Sequence, residues 1–467
     1  MSTRKKGMVV SLIAWVVLAG AEASESAPFT VSIDAVAGHR YVVRESPALE
    51  IWHNGVAVDG SNQTVAIEYP TTDPHRFFMV DDALDQGVPE AKICVVSDPH
   101  YFAPSLLDTN SPDFQADLAK DRKMIAESHD IMEATIAAIL TEKPDVLLVS
   151  GDLTKDGETI CHEALSNYFA QVAAAGTKVV VCPGNHDINN LHAVAYNSTG
   201  SVAVASITPE GFAANYAGCG YGDALRRDPD SLSFVAEPVS NLWILSVDSA
   251  LYIPHQTTAG HVKAETLSWI SGILADAVAS NKTVLAMMHH GVVPHFAYQP
   301  VFFPQYLVDN RDEVLEALVD GEVGVVFTGH YHANDVVAQT STNGVDTFFD
   351  VETGSPLTWP CPYRVIFLTA DGVLNISTKY VEEVAGFDDF QTYAYDFTYA
   401  GMLSASSNMW STPTEPIPPR PPPCRPPWPP PSLPTPPATK AHPTPTRRPP
   451  WIRCSPLPIP TAKHLAP

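Results

Sequence analysis

At 467 residues and 45% hydrophobic content the chain has enough apolar material for two or three average domains, or for one large domain with appendages. Its net charge of −25 is uneven: residues 1–26 contribute +1 and residues 412–467 contribute +6, leaving −32 between them. A surface that acidic argues against a sequence-independent grip on nucleic acid, which needs a basic footprint. It does not exclude a small anionic substrate, because bound cations invert the local field.

The first elements read as an export signal. The basic stretch MSTRKKG precedes 14 apolar residues, Met8–Ala21, and Ala21-Glu22-Ala23 has the small-x-small form of a cleavage site. Such a run is short for a bilayer core of about 30 Å, and nothing later in the chain is long enough to span one. The expectation is a signal peptide over 1–23 and a secreted, periplasmic or cell-surface protein without a transmembrane helix after cleavage. Residues 28–88 read as short extended pieces, a small β-rich segment with Asn54-Gly55 as a hairpin turn.

From 89 to 400 apolar runs alternate with helical periodicity. KICVVSDPH, DVLLVSGD and TKVVVCPGNHD read as strands ending in polar residues. Between them, RKMIAESHDIMEATIAAILTEKP reads as a helix stopped by Pro144, and CHEALSNYFAQVAAAG as one ended by Gly176. NLWILSVDS, TVLAMMHH and VGVVFTGHYH repeat the strand design, AETLSWISGILADAVAS is an amphipathic helix, and Asp371-Gly372 turns a hairpin. The alternation predicts an α/β sheet with helices on its faces. Residues 188–240 lack periodicity and read as an insertion bordering the site. From 411 onward the composition changes: 23 of the 43 prolines fall in 412–467, which reads as a disordered tail or extended linker. Its abrupt onset and its cysteines also fit a shifted reading frame. Cys94 and Cys182 read as buried thiols, while Cys161, Cys219 and Cys361 are free to bridge after export.

Five strand-like runs each finish in residues able to bind a metal. They supply Asp98 and His100, then Asp152, then Asn185 and His186, then His289 and His290, and last His330 and His332. Loops at the carboxyl ends of α/β strands form the usual site, and carboxylate, carboxamide and imidazole suit divalent ions without thiolate. A lone D-x-H or G-D is weak. The ordered series D-x-H, G-D, G-N-H-D, H-H, G-H-x-H is specific.

On these motifs the stretch 90–375 resembles the calcineurin-like metallophosphoesterase family. The resemblance implies a four-layer α-β-β-α sandwich and two divalent ions (manganese, zinc, iron or magnesium). It also implies hydrolysis of phosphomonoesters or phosphodiesters by a hydroxide bridging the ions. It makes Asp152 the bridging ligand, completes one site with Asp98, His100 and His332, and completes the other with Asn185, His289 and His330. His186 becomes a non-ligand that touches the scissile phosphate and assists the leaving group. Of the pair His289 and His290 the resemblance favours the first, leaving His290 to stand behind the ligands or touch substrate. His295 is a further candidate for either role. Purple acid phosphatases carry a tyrosine ligand three residues after G-D. Lys155 stands there in this chain, which disfavours a ferric–tyrosinate site. His129 and His162 read as surface or packing residues, Asp187 as a loop-structuring carboxylate and Asp248 as a structural one. The rival reading is a catalytically idle surface or binding protein on the same fold, which the intact ligand series disfavours.

Overall fold

The computed structural model describes residues 29–35, 39–46, 53–59, 63–69, 77–84, 87–341, 347–411 and 452–454. The expected signal peptide lies outside the described residues, as does the Pro-rich tail apart from 411 and 452–454. In the N-terminal part, strand His39–Ser46 pairs antiparallel with His53–Asp59 and Phe77–Leu84, and Phe29–Ala35 pairs with Gln63–Tyr69. Asn54-Gly55 does not turn a hairpin. It lies inside His53–Asp59, where the register slips against Val42 and Arg44. The side-chain-free glycine serves an irregularity within a strand, a use that its sequence neighbours do not separate from a turn.

Two sheets carry the rest. The first runs Ile452–Cys454, Leu374–Tyr380, Pro362–Leu368, Ala91–Val96, Val146–Ser150, Lys178–Cys182, and the last three of these strands are parallel. The second runs Arg226–Arg227, Phe234–Val239, Leu242–Val247, Thr283–Met288, Val325–Thr328, Thr347–Glu352, Val336–Thr340. Its four central strands are parallel. Phe234–Val239, at the end of the aperiodic 188–240 stretch, is thus a strand of this sheet.

Strand periodicity explains why there are four layers. In the second sheet Leu242, Ile244, Leu285, Met287, Val325 and Phe327 point into one core shared with Ile93, Val95, Val146, Leu148 and Val180 of the first sheet. Their alternates Leu245, Val247, Ala286, Met288 and Val326 point the other way, into a core built with Ile270, Leu274, Val314, Leu315 and Leu318. The latter five belong to helices Ala264–Ala279 and Arg311–Asp320, which pack on each other. Helices Ser128–Glu142 and Thr159–Ala174 cover the first sheet. The order is helix, sheet, sheet, helix. Both helices on the first sheet end as expected, with Lys143 left-handed at φ 51° and Gly176 at φ 102°. The first begins at Ser128 rather than near Arg122, because Met124 N–H donates to Leu357 O and Arg122 Nη2 to Tyr331 O instead of to a helical turn. Cys161, Cys219 and Cys361 are free, buried thiols. Among the described residues no helix is long and apolar enough to cross a membrane.

Candidate metal centre

Each motif sits just past the carboxyl end of a parallel strand. Asp98 and His100 follow Ala91–Val96, Asp152 follows Val146–Ser150, and Asn185 and His186 follow Lys178–Cys182. His289 follows Thr283–Met288, while His330 and His332 follow Val325–Thr328. The two sheets therefore aim five loops at one place. Asp98, His100 and His332 form one group of potential ligand atoms, and Asp152, His289 and His330 form a second. His332 Nε2 lies 3.1 Å from Asp98 Oδ1 and 3.4 Å from His100 Nε2. Asp152 Oδ2 lies 3.2 Å from His289 Nε2 and 3.8 Å from His100 Nε2, so this oxygen stands between the groups. Asn185 Oδ1 joins the second group, 3.2 Å from His289 Nε2. All seven are buried or nearly so.

The backbone is bent to achieve this. Asp98, His100, Asp152, His330 and His332 adopt positive φ of 53°, 37°, 47°, 73° and 62°. Each costs on the order of 1 kcal/mol or more, and such strain persists only where the surroundings over-determine it. Aspartate and histidine tolerate this region better than most residues. Two glycines are required by close approach: a Cβ at Gly184 would overlap Asp152 N and Oδ1, and one at Gly329 would overlap Ser97 Oγ and Asp98 Oδ2.

A family model for calcineurin-like phosphoesterases matches residues 91–334, the span that supplies every one of these side chains. The chain belongs to that family. Among solved structures it is similar to a dimetal phosphatase from Danio rerio, at 16% identity over 62% of this chain and 96% of that one, with a TM-score of 0.45. It is also similar to a purple acid phosphatase from yellow lupin (Lupinus luteus) seeds, at 11% identity over 77% of this chain and 71% of that one, with a TM-score of 0.37. No curated protein sequence matches it.

Two divalent ions serve this family of phosphoesterases, and the donor set fits them. Burial holds His100, His330 and His332 below the usual imidazole range, so their rings are neutral and offer lone pairs. Tautomers are assigned by what lies behind. His289 Nδ1–H donates to Ser150 O at 2.9 Å, leaving Nε2 for an ion, and His330 Nε2–H donates to Gln305 O at 3.2 Å, leaving Nδ1. Burial lowers His289, but Asp152 outweighs it and lifts the ring to about 10, so a proton there occupies the position that a cation takes.

The remaining candidates have distinct places. His186 keeps Nε2 toward the centre, 4.0 Å from Asp152 Oδ2, and its Nδ1–H donates to Lys155 O and Asp156 Oδ1 at 2.6 and 3.0 Å. His290 is buried, with Nδ1 at 2.9 Å from Ser249 Oγ and Nε2–H donating to Thr258 O. Its ring packs 4.5 Å from that of His330. His295 is buried behind Tyr331, paired with Glu352, which lifts it to about 9 against the lowering effect of burial. Lys155 pairs with Asp156, and its ammonium lies over the rings of Phe102 and Tyr196. His129 is half-buried on a helix face, and His162 is buried against Tyr216 and Asp187 O.

Asp156, behind His186, went unread in the sequence. The available signal was its place four residues after Asp152 in GDLTKDG, yet nothing local says which ring it meets. Asp187 structures its loop as expected: its carboxylate accepts from the N–H groups of Gly184, Leu153 and Thr154. Asp248 accepts from Leu232 and Ala250 N–H and from Tyr252 O–H.

Proposed function

We propose that this protein is an exported phosphoesterase whose reaction takes place between Asp152, His186 and the two groups of ligands. Metal-dependent hydrolysis of phosphoric esters follows from family membership. The residue roles rest on geometry. Asp98, His100, His332 and Asp152 would hold one ion, and Asp152, Asn185, His289 and His330 the other. The ions supply a water acidified enough to attack at neutral pH and positive charge for the phosphoryl oxygens.

The chain's own residues do the rest. Asp152 Oδ1 accepts from His186 N–H at 2.8 Å, which fixes Oδ2 toward the centre and sets the distance between the catalytic loops. His186 is the acid. Its Nδ1–H is engaged by Lys155 O and Asp156, so the second proton sits on Nε2, facing the place where the leaving oxygen must depart. Burial disfavours that proton, but Asp152 and Asp156 more than compensate and raise the ring above its ordinary value. Asp156 is a positioning residue here, itself held to about 2 because His186 and Lys155 overcome its burial.

The observation that carries the reading is Asp152 Oδ2 lying 3.2 Å from one group's histidine and 3.8 Å from the other's. Elemental analysis of the purified protein should find two divalent ions per chain and identify them, and p-nitrophenyl phosphate should be hydrolysed. One ion or none after reloading, with an inert sample, refutes the reading. A basic start, an apolar run and Ala21-Glu22-Ala23 support export. N-terminal sequencing of the mature protein should begin near Ser24, and an intact Met1 on exported material overturns that part.

A further inference from the structure

The loop that carries His330 and His332 continues into an aromatic face that no role above uses. The ring of His330 lies 4.7 Å from Tyr306, and Tyr306 lies 5.1 Å from Tyr331. Tyr331 in turn lies 5.8 Å from Phe303 and 6.1 Å from Phe296. An unbroken series of rings thus leads from a ligand position outward. Phe296 is 38% exposed, and Tyr298, Val301 and Phe302 just beyond it are 65%, 70% and 67% exposed. Soluble proteins seldom leave large apolar side chains clustered in water without a use.

The face is anchored. Gln299 is buried and its Oε1 accepts from His295 N–H at 2.7 Å, while Gln305 O receives the bond from His330. Adjacent rings cross steeply, at 70° for Phe296 and Phe303, 66° for Phe303 and Tyr306, and 76° for Tyr306 and Tyr331. A flat ring laid on one of them meets the edge of the next, and both arrangements are those that aromatic quadrupoles prefer. Arg122, whose Nη2 donates to Tyr331 O at 3.3 Å, brings a cation to the same loop. Any ester bound at the metal centre must extend its alcohol away from it, and this face meets the centre at the ring of His330.

We propose that the substrates are phosphate esters whose alcohol carries an aromatic ring, seated on Phe296, Phe303, Tyr306 and Tyr331. This rests on the metal centre assigned above. The test compares kcat/KM for ethyl, 2-cyclohexylethyl and 2-phenylethyl phosphate, three primary alkyl esters with closely matched leaving groups. The phenyl ester should exceed the ethyl ester by at least about tenfold through apolar burial and stacking, and the cyclohexyl ester by about threefold through stacking alone. Phe296→Ala and Phe303→Ala should each collapse these ratios, which are internal to a sample and insensitive to a misfolded fraction.

Calorimetry of the metal-loaded protein with 2-phenylethylphosphonate and ethylphosphonate reads the same preference without turnover. Phosphonate preference in a sample inert to every ester leaves the aromatic seat standing and removes the hydrolytic reading. Hydrolysis with equal phenyl and ethyl ratios, or a cyclohexyl ester as good as the phenyl ester, overturns the inference. So does self-association that Phe302→Ala abolishes without any ester preference, which would assign the face to a second copy of the chain.

Discussion

Asp187→Ala is the sharpest probe of how the loops are wired. The Asp187 carboxylate is fully buried and serves as acceptor for three backbone N–H groups, Gly184 at 2.8 Å, Leu153 at 3.1 Å and Thr154 at 3.0 Å, and for the Thr154 hydroxyl. Two of these groups follow Asp152 directly, and Gly184 precedes Asn185, so one side chain ties two ligand loops together. Each buried donor left without an acceptor costs about 1–3 kcal/mol. Three would total roughly 3–9 kcal/mol, but removing the carboxylate relieves a burial that pushes its own pKa to about 7. The net loss expected is about 3 kcal/mol, at the lower end of that range. The melting temperature should fall by several degrees. On p-nitrophenyl phosphate, well below the transition, kcat/KM should fall at least about tenfold, since positioning errors near 1 Å are that costly. Asp187→Asn should rescue only part of this, because its NH2 confronts an N–H where the carboxylate accepted. A melting temperature and turnover both equal to wild type in Asp187→Ala would refute the reasoning.

His186→Ala should lower kcat on alkyl phosphates by about 10²–10⁴-fold, the usual worth of a positioned acid, while two ions still bind. Lost metal would instead place His186 among the ligands. Asp152→Asn should lose both activity and at least one ion, measured by elemental analysis. Chelation should lower the melting temperature, and restoring each ion at a hundred times its Kd should return about 2.7 kcal/mol. An unchanged melting curve after verified metal removal would show that the ions do not bind the folded chain in preference to the unfolded one. For His295 the folded pKa of about 9 lies above the ordinary 6.5, so its pairing with Glu352 stabilises fully below pH 6.5 and fades as pH rises through 9. His295→Gln should therefore be less stable than wild type near pH 6, with the gap closing above pH 9. A gap constant across that range would show that the charge contributes nothing.

The metal centre was legible because its chemistry is local to five strand ends. D-x-H, G-D, G-N-H-D, H-H and G-H-x-H each keep their candidate ligands within four residues of a strand terminus, and the hydrophobic runs before them mark those strands. The helices announced their ends through Pro144 and Gly176 for the same reason. Where a signal was local but ambiguous, as at Asn54-Gly55, the pairing of distant strands settled it. Where a stretch lacked periodicity, as at 234–239, only its pairing within the sheet, between Arg226–Arg227 and Leu242–Val247, revealed a strand.

What the sequence by itself determined is therefore the inventory: a parallel α/β core, the seven candidate ligands in order, and an acidic surface that leaves positive charge to the ions. What only the tertiary structure decided is which atom of each side chain faces inward. His289 and His330 present opposite ring nitrogens because Ser150 O and Gln305 O stand behind them, and Asp156 finds His186 across 30 residues. Phe296 meets Tyr331 only once the chain is folded. A hydrogen bond or ring contact depends on positions to within a few tenths of an ångström. Such positions are set by the packing of the whole sandwich, whereas a strand and the polar residues at its end are set by their immediate neighbours.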